Sequence, residues 1–160
     1  MNISANMLLK LELRDFYEEY NCCLDESEFH RWPDFFTDDA LYRITGYENV
    51  QAGLAYGPIN CFGIGMIRDR ALTIRETTVY EPRRMRRFVA NVRVLDAGPE
   101  VIAAQASFAV FETLLDRDPR VYMVGYSMDK LVRRNDALLL KERICVYDND
   151  CILQGLVLPI

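Results

Sequence analysis

The chain has 160 residues, 51% of them hydrophobic and 27% charged, which predicts one globular domain spanning residues 1–160. Its formal net charge of −5 argues against a general nucleic-acid-binding protein, and no apolar run approaches the roughly 18 residues of a membrane span. Acidic residues occupy the N-terminal stretch where a signal peptide would be apolar, so a cytoplasmic location is expected.

The first part of the chain predicts helices. Apolar residues recur at helical spacing from residue 4 to about residue 24, and Ser4 or Asn2 is placed to cap this helix. A second, short helix is expected to follow "LDES" and to continue through "EFHRWPDFF", where Pro33 limits or kinks it. The next stretch, "DDALYRITGY", reads as a first strand because its apolar and polar residues alternate.

A loop and a further helix are predicted in the middle of the chain. The stretch "QAGLAYGPINCFGIG" is rich in glycine and proline, which favours a loop. In "MIRDRALTIRETTVY" the residues Ile67, Ala71 and Ile74 fall on one helical face, and Met66 is expected beside them. Pro82 then breaks the pattern.

The remaining chain reads as sheet. Four long stretches alternate apolar and polar residues between turn sequences such as "DAGPE" and "DRDP", which is typical of antiparallel strands in a meander. Phe88, Ala90 and Val92 are predicted to share one face of the first of these strands. Gly125, in the third, marks a bulge or sharp bend. Helices followed by a long curved sheet predict an α+β fold in which the helices close the concave face to form a cone.

Few residues have the character of a reactive site. The single histidine, His30, has no partner marked by the sequence and is expected on a helix surface, while Asp38 and Asp39 resemble turn residues. The five cysteines form no CxxC pair and, with one histidine, make no zinc pattern. We therefore assign no catalytic, cofactor-binding or metal-binding residue to this chain.

An arginine cluster is the most unusual feature of the sequence. "EPRRMRRFVANVRV" places four arginines within five residues at the start of a predicted strand. Basic residues are not spread in a stripe with stacking aromatics, which argues against nucleic-acid binding. A solvated face, an ion-pair network within the chain and a contact with another protein remain open. The candidate interface residues are Arg83, Arg84, Arg86, Arg87 and Arg93.

Three stretches resemble the small, or beta, subunits of Rieske non-haem iron aromatic-ring-hydroxylating oxygenases. "FYEEYNCCLDESEFHRWPDFFTDDALYRI" is similar to the family's opening, "MIRDRALTIRETTVYEPRRMRRFVANVRV" to its arginine-rich centre and "LLLKERICVYDND" to its closing strand. One departure is Phe88, which stands where the family often has a histidine. The region "WPDFFTDDALYRITGYENVQAGLAYG" most resembles the branch of salicylate 5-hydroxylase and terephthalate dioxygenase small subunits.

The resemblance implies a structural subunit with the cone-shaped α+β fold shared by nuclear transport factor 2 and scytalone dehydratase. One histidine cannot supply the two that a Rieske cluster or a mononuclear iron site needs, so the Rieske [2Fe–2S] cluster and Fe(II) are expected in a large alpha subunit. The resemblance further implies an alpha3beta3 hexamer, an NAD(P)H-dependent reductase acting directly or through a ferredoxin, and an aromatic carboxylate substrate such as salicylate or terephthalate. In this interpretation the arginine cluster serves assembly, and the apolar stretch "CILQGLVLPI" is buried against the sheet or a subunit.

Two alternatives use the interior of the cone. A stand-alone enzyme of the same fold, a dehydratase or isomerase, would need an open internal cavity with His30 pointing inward. A small-ligand-binding module would use the same space. The interior candidates are Tyr42, Phe108 and Tyr126, and we expect these aromatic side chains to fill the interior rather than to line a cavity.

Overall fold

The computed structural model describes residues 4–77, 80–149 and 155–160. Ten elements follow one another in these ranges, and the sheet-forming ones dominate the second half of the chain. The elements are α1 (Ala5–Asp25), a 3-10 helix (Trp32–Phe35), β1 (Phe36–Gly46), α2 (Tyr47–Gln51), β2 (Ile59–Phe62), α3 (Gly63–Glu76), β3 (Arg83–Ala97), β4 (Ile102–Leu114), β5 (Arg120–Arg134) and β6 (Ala137–Tyr147).

The first helix confirms the prediction from apolar spacing. Ser4 caps it, because its side-chain oxygen accepts a hydrogen bond from the backbone N–H of Met7 at 3.3 Å. The face that carries Leu13, Tyr17 and Tyr20 is buried. This helix packs across β3, so it covers one face of the sheet.

The second predicted helix is only a 3-10 turn. Ser27, two residues after the end of α1, adopts a positive φ of 61°, and Pro33 stands at the start of the four-residue 3-10 helix. Proline is tolerated there because its missing N–H has no helical partner in a first turn. The segment therefore turns into β1 instead of continuing as an α-helix.

The strands form one curved, unclosed sheet in the order β2–β1–β6–β5–β4–β3. The run from β3 to β6 is the predicted antiparallel meander. The sequence pattern did not reveal that β1 lies beside β6 in parallel, because parallel pairing of distant strands leaves no local turn signal. With the helices against the concave face, the chain has the predicted cone-shaped α+β fold.

Two parts of the middle segment differ from prediction. The glycine- and proline-rich stretch contains the short strand β2, in which Ile59 and Cys61 are buried and Cys61 pairs with Tyr42 of β1. Four residues are too few to show a clear alternation against the surrounding glycines. In α3, Ile67 is buried with its two predicted neighbours, but Met66 is exposed.

A bulge reverses the faces of β3. Asn91 has a positive φ of 53°, and the pairing with β4 shifts between Ala90 and Arg93. As a result Phe88 is 59% exposed while Val92 is 4% exposed, although strict alternation predicted that they share a face. The inward-facing residues before the bulge are Arg83, Met85 and Arg87.

The irregularity predicted at Gly125 lies three residues earlier in β5. Val110 pairs with Met123 and Phe111 with Val121, so Tyr122 is the additional residue. Gly125 has a different role: a Cβ there would lie 2.0 Å from the backbone oxygen of Val146. The strands approach so closely at this point that only glycine fits.

Aromatic and aliphatic side chains fill the interior of the cone. Trp32 lies edge-on to Tyr42 and Phe36, with ring centroids 5.1 and 5.5 Å apart. Phe108 faces inward as predicted, whereas Tyr126 is only half-buried and pairs with Ser107 on the outer face. The segment 158–160 is also buried, which agrees with the burial predicted for the apolar stretch at its described end; residues 151–154 lie outside the described residues.

Candidate assembly surface and buried polar interior

The residue types that most often serve as catalytic or metal-binding groups do not cluster in the described part of this fold. His30 is exposed beside an open cleft that Pro33 and Asp69 also line. Asp38 and Asp39 are exposed in the irregular first part of β1, not in a turn. Across residues 4–77, 80–149 and 155–160, no three histidine, cysteine, aspartate or glutamate side chains come together in a group that could hold a metal. These residues therefore do not fit an iron or iron–sulfur site.

The arginine cluster is divided by the alternation of β3. Arg83 and Arg87 point toward the concave side and are buried in ion pairs, while Arg84 and Arg86 are exposed. Arg93, beyond the bulge, is also exposed. Of the five predicted interface residues, two are thus buried within the chain and three are exposed, and their contact with a partner stays a prediction.

Arg87 ties three parts of the chain together. Its Nη1 donates to Asp25 Oδ1 at 2.6 Å, and its backbone N–H donates to Asp25 Oδ2 at 3.0 Å, which holds the end of α1 on β3. Its Nε and Nη2 donate to the backbone oxygen of Pro159 at 3.2 and 2.6 Å. A guanidinium suits this position because its planar fork donates in several directions at once.

Arg83 belongs to a second ion-pair group. Glu112 of β4 has a fully buried side chain, and its two oxygens accept from Arg83 Nη1 at 3.1 Å and from Arg120 Nη2 at 2.6 Å. The Nε of Arg120 also donates to Glu112, at 2.9 Å. Both oxygens of this buried carboxylate have a charged hydrogen-bond partner only while Arg83 and Arg120 are both present.

Arg84 and Arg86 border an apolar patch on the convex face of the sheet, which we call the outer patch. Phe88 packs edge-on against Phe111 with ring centroids 5.6 Å apart, and strand pairing places Val121 beside Phe111. In the register of β3 and β4, Arg86 lies directly opposite Phe111. Large apolar side chains exposed together on one face are typical of a protein contact. The outer patch consists of the exposed Phe88, Val121 and Val124 and the partly buried Phe111.

A buried polar network occupies the interior. Asp129 accepts hydrogen bonds from Tyr17 at 2.8 Å and Ser127 at 2.6 Å, and forms an ion pair with Arg143 at 3.2 Å. The guanidinium of Arg143 lies 4.5 Å from the centroid of the Tyr20 ring. Within the described part of the chain, the Nε of Arg143 is buried without a hydrogen-bond partner.

The network continues to the last described residue. Trp32 Nε1 donates to the Tyr20 hydroxyl at 2.9 Å, and that hydroxyl donates to the backbone oxygen of Ile160 at 3.1 Å. The Tyr42 hydroxyl accepts from the N–H of Ile160 at 2.8 Å and donates to its oxygen at 3.3 Å. These hydrogen bonds hold Ile160 inside the cone, so that the chain itself occupies this part of the interior.

Burial sets the protonation of these interior groups. Loss of hydration raises the pKa of Tyr17, Tyr20 and Tyr42 above the usual range of a phenol, and raises the pKa of Cys145 to about 11. Burial also raises the pKa of Asp129, against the opposing effect of Arg143. The phenols and the thiol are therefore neutral hydrogen-bonding groups at physiological pH.

The sequence analysis missed the acids that hold the arginines. Glu112 and Asp129 stand at positions whose neighbours two residues away are buried, so their alternation places them inside the sheet. An ionisable residue at an inward position requires a partner. That signal identifies buried acids, but the pairing with Arg83 or Arg143 depends on the fold.

The comparisons with known proteins agree with this architecture. A family described as "Ring hydroxylating beta subunit" matches residues 21–154. The anthranilate 1,2-dioxygenase small subunit of Burkholderia cepacia is 28% identical over 99% of both chains. A terephthalate 1,2-dioxygenase terminal oxygenase beta subunit of Comamonas sp. is 28% identical over 96% of this chain and 100% of its own.

Solved structures show the same fold. The beta subunit of a candidate aromatic-ring-hydroxylating dioxygenase from Novosphingobium aromaticivorans superposes with a TM-score of 0.89 at 29% identity, covering 98% of this chain and 100% of its own. A candidate scytalone dehydratase from the same organism shares the fold at 11% identity, with a TM-score of 0.72 over 96% and 93% of the two chains. In the described ranges no helix has the length and apolar character to cross a membrane.

Proposed function

The chain belongs to the family of ring-hydroxylating beta subunits, and from that premise we propose that it supports an iron-bearing alpha subunit without contributing catalytic residues. The observation that carries this proposal is the filled interior. Where a cone-fold enzyme needs an open cavity, Tyr20, Tyr42 and the segment 158–160 occupy the space and satisfy one another's hydrogen bonds. His30, the residue on which a stand-alone enzyme would depend, lies outside.

We further propose that the complex hydroxylates an aromatic carboxylate. Anthranilate and terephthalate, the compounds in the names of two relatives, both carry a carboxylate on an aromatic ring. The Rieske [2Fe–2S] cluster and Fe(II) then belong to the alpha subunit, and electrons come from an NAD(P)H-dependent reductase, directly or through a ferredoxin. The same proposal gives an alpha3beta3 hexamer located in the cytoplasm.

The arginine cluster takes two roles in this proposal. Arg83 and Arg87 brace β3 through ion pairs inside the chain. Arg84, Arg86 and Arg93, together with the outer patch, meet a neighbouring subunit, where guanidinium groups can pair with carboxylates as water is excluded. An apolar centre with arginines at its border is the usual composition of a protein interface.

A charge-reversal experiment tests the assembly role. The double variant Arg84→Glu and Arg86→Glu is co-expressed with the alpha partner, and light scattering measures the mass of the purified complex. We expect the complex to dissociate, because two repulsive charges replace two attractive ones at the border of the outer patch. A matched control reverses Arg68 and Arg75, which are exposed on α3 away from this surface, and should leave the mass unchanged.

Two results would contradict the proposal. A complex of unchanged mass in the Arg84 and Arg86 variant would remove these arginines from the interface. Turnover of a small molecule by the purified chain alone, or stoichiometric iron binding by it, would contradict the structural role. Reconstituted activity of the alpha partner with and without this chain separates support from catalysis.

A further inference from the structure

Residues 155–160 are held in the way a protein holds a bound peptide. The side chains that fix them make their hydrogen bonds to backbone atoms of the segment, so its main chain is recognised while its apolar side chains fill space. Arg70 on α3 donates to two of these oxygens, at 2.7 and 3.3 Å. The contacts run from Arg70 to Leu156 and Val157, from Arg87 to Pro159, and from Tyr20 and Tyr42 to Ile160.

The groups that face the segment 158–160 are mostly donors. Arg87 offers Nε and Nη2, the two parallel donors along one edge of the guanidinium, and both converge on a single oxygen. The hydroxyls of Tyr20 and Tyr42 converge on a second oxygen. Behind them, the Arg143 guanidinium lies 4.5 Å from the centroid of the Tyr20 ring, and its buried Nε lacks a hydrogen-bond partner among the described atoms. A carboxylate, which only accepts, matches such a set and fits the arginine edge bidentately.

The walls around these donors are apolar and aromatic. Trp32, Phe36 and Tyr42 form edge-to-face contacts on one side. The buried side chains of Leu158 and Ile160 fill the remaining space. Removing them would leave a concave site with apolar walls and a few convergent polar groups, which is the usual make-up of a small-molecule site.

We propose that the interior of the cone binds a small apolar carboxylate when residues 158–160 are displaced, and that in the folded chain these residues occupy the site as an internal ligand. Asp25 and Asp129 already balance Arg87 and Arg143, so a carboxylate adds one negative charge. The raised pKa of Asp129 allows this carboxyl to take up a proton and to balance that charge. The proposal does not depend on the assembly role of the chain.

The single tryptophan makes the test direct. Trp32 lies in the wall of the site and donates to Tyr20, so its fluorescence reports on the interior. A chain shortened to end at Val157 is titrated with benzoate, and we expect a saturable change in tryptophan fluorescence. The full-length chain should show no change, because its own segment fills the site. Benzyl alcohol, which has the ring but no carboxylate, should bind the shortened chain at least tenfold more weakly.

Two further variants make the outcome decisive. In the shortened chain, Tyr20→Phe with Tyr42→Phe removes two donors and should weaken benzoate binding at least tenfold, while circular dichroism confirms the fold. If the shortened chain does not fold, the full-length variant Leu158→Gly with Ile160→Gly removes the apolar side chains that anchor the segment, so that benzoate can displace its backbone from the donors. A benzoate-dependent rise in its melting temperature is then expected. The proposal is overturned if benzoate gives no saturable response in either protein, or if benzyl alcohol binds equally well.

Discussion

Neighbouring arginines in β3 have opposite environments, and strand alternation explains why. Arg83 and Arg87 face inward and are paired with acids, whereas Arg84 and Arg86 face outward. The sequence predicted a charged cluster at the start of a strand and left an ion-pair network within the chain as one alternative. It could not identify the partners, because Asp25 and Glu112 are brought to β3 only by the packing of α1 and β4.

Glu112 is the residue at which the first stability prediction applies. Replacement by Gln keeps the size of the side chain but removes the charge that Arg83 and Arg120 share. Arg83 is 6% exposed, so it cannot recover its hydration. We expect Glu112→Gln to lower the free energy of unfolding by about 3 kcal/mol, as is typical when one partner of a buried ion pair is removed. Urea denaturation measures this difference.

An exposed ion pair provides the control for Glu112. Glu18 lies 3.9 Å from Arg14 on the surface of α1, and both side chains are more than half exposed. Glu18→Gln should change the free energy of unfolding by less than about 1 kcal/mol. Equal effects of the two substitutions would show that the buried carboxylate is no more important than a surface charge.

At the scale of elements, local periodicity predicted some features well and others not at all. The alternation in β4 places every second residue inside, and the apolar spacing of α1 gives its buried face. The bulge at Asn91 was not predicted, because a single residue with positive φ leaves the composition of a strand unchanged. That bulge is what turns Phe88 outward, so the outer patch could not be found from the sequence.

Two glycines allow a test of close packing between strands. A Cβ on Gly125 would lie 2.0 Å from the backbone oxygen of Val146, whereas a Cβ on Gly65 in α3 would meet nothing within 4 Å. Gly125→Ala should therefore destabilise the fold by about 2 kcal/mol or more, because β5 and β6 must move apart. Gly65→Ala should stabilise it by about 0.5 kcal/mol through helix propensity. Thermal unfolding of both variants measures the contrast, and a neutral Gly125→Ala would mean that the strands are not in close contact.

For the whole molecule, the interior network acts as one unit in which the tyrosine hydroxyls and the Cys145 thiol must stay neutral around the Asp129–Arg143 ion pair. The hydroxyl of Tyr17 donates a hydrogen bond to Asp129, and those of Tyr20 and Tyr42 donate hydrogen bonds to the backbone oxygen of Ile160. Cys145 lies against the same backbone oxygen as Tyr20, at 3.7 Å. Because burial raises the pKa of each of these groups, the folded chain holds their protons more tightly than the unfolded chain does.

The consequence is an alkaline limit to stability. The pKa of Cys145 is 9.0 in an exposed setting and about 11 in the fold, so between these values the folded state binds one proton more than the unfolded state. Its contribution is complete below pH 9 and is lost as the pH rises to about 11, at about 1.4 kcal/mol per pH unit. Urea denaturation of the chain at intervals from pH 8 to pH 11 should show this decline, with the tyrosines adding to it at the upper end.

Replacement of Cys145 isolates its share of that decline. In Cys145→Ala the free energy of unfolding should fall less steeply between pH 9 and pH 11, by about 1.4 kcal/mol per pH unit, because one titrating group has been removed. Cys22 is the matched control: it is exposed on α1, and its pKa is raised by less. Cys22→Ala should therefore change the slope less. Identical slopes in Cys145→Ala and the unmodified chain would mean that this thiol ionises as readily in the fold as outside it, and that the interior admits water.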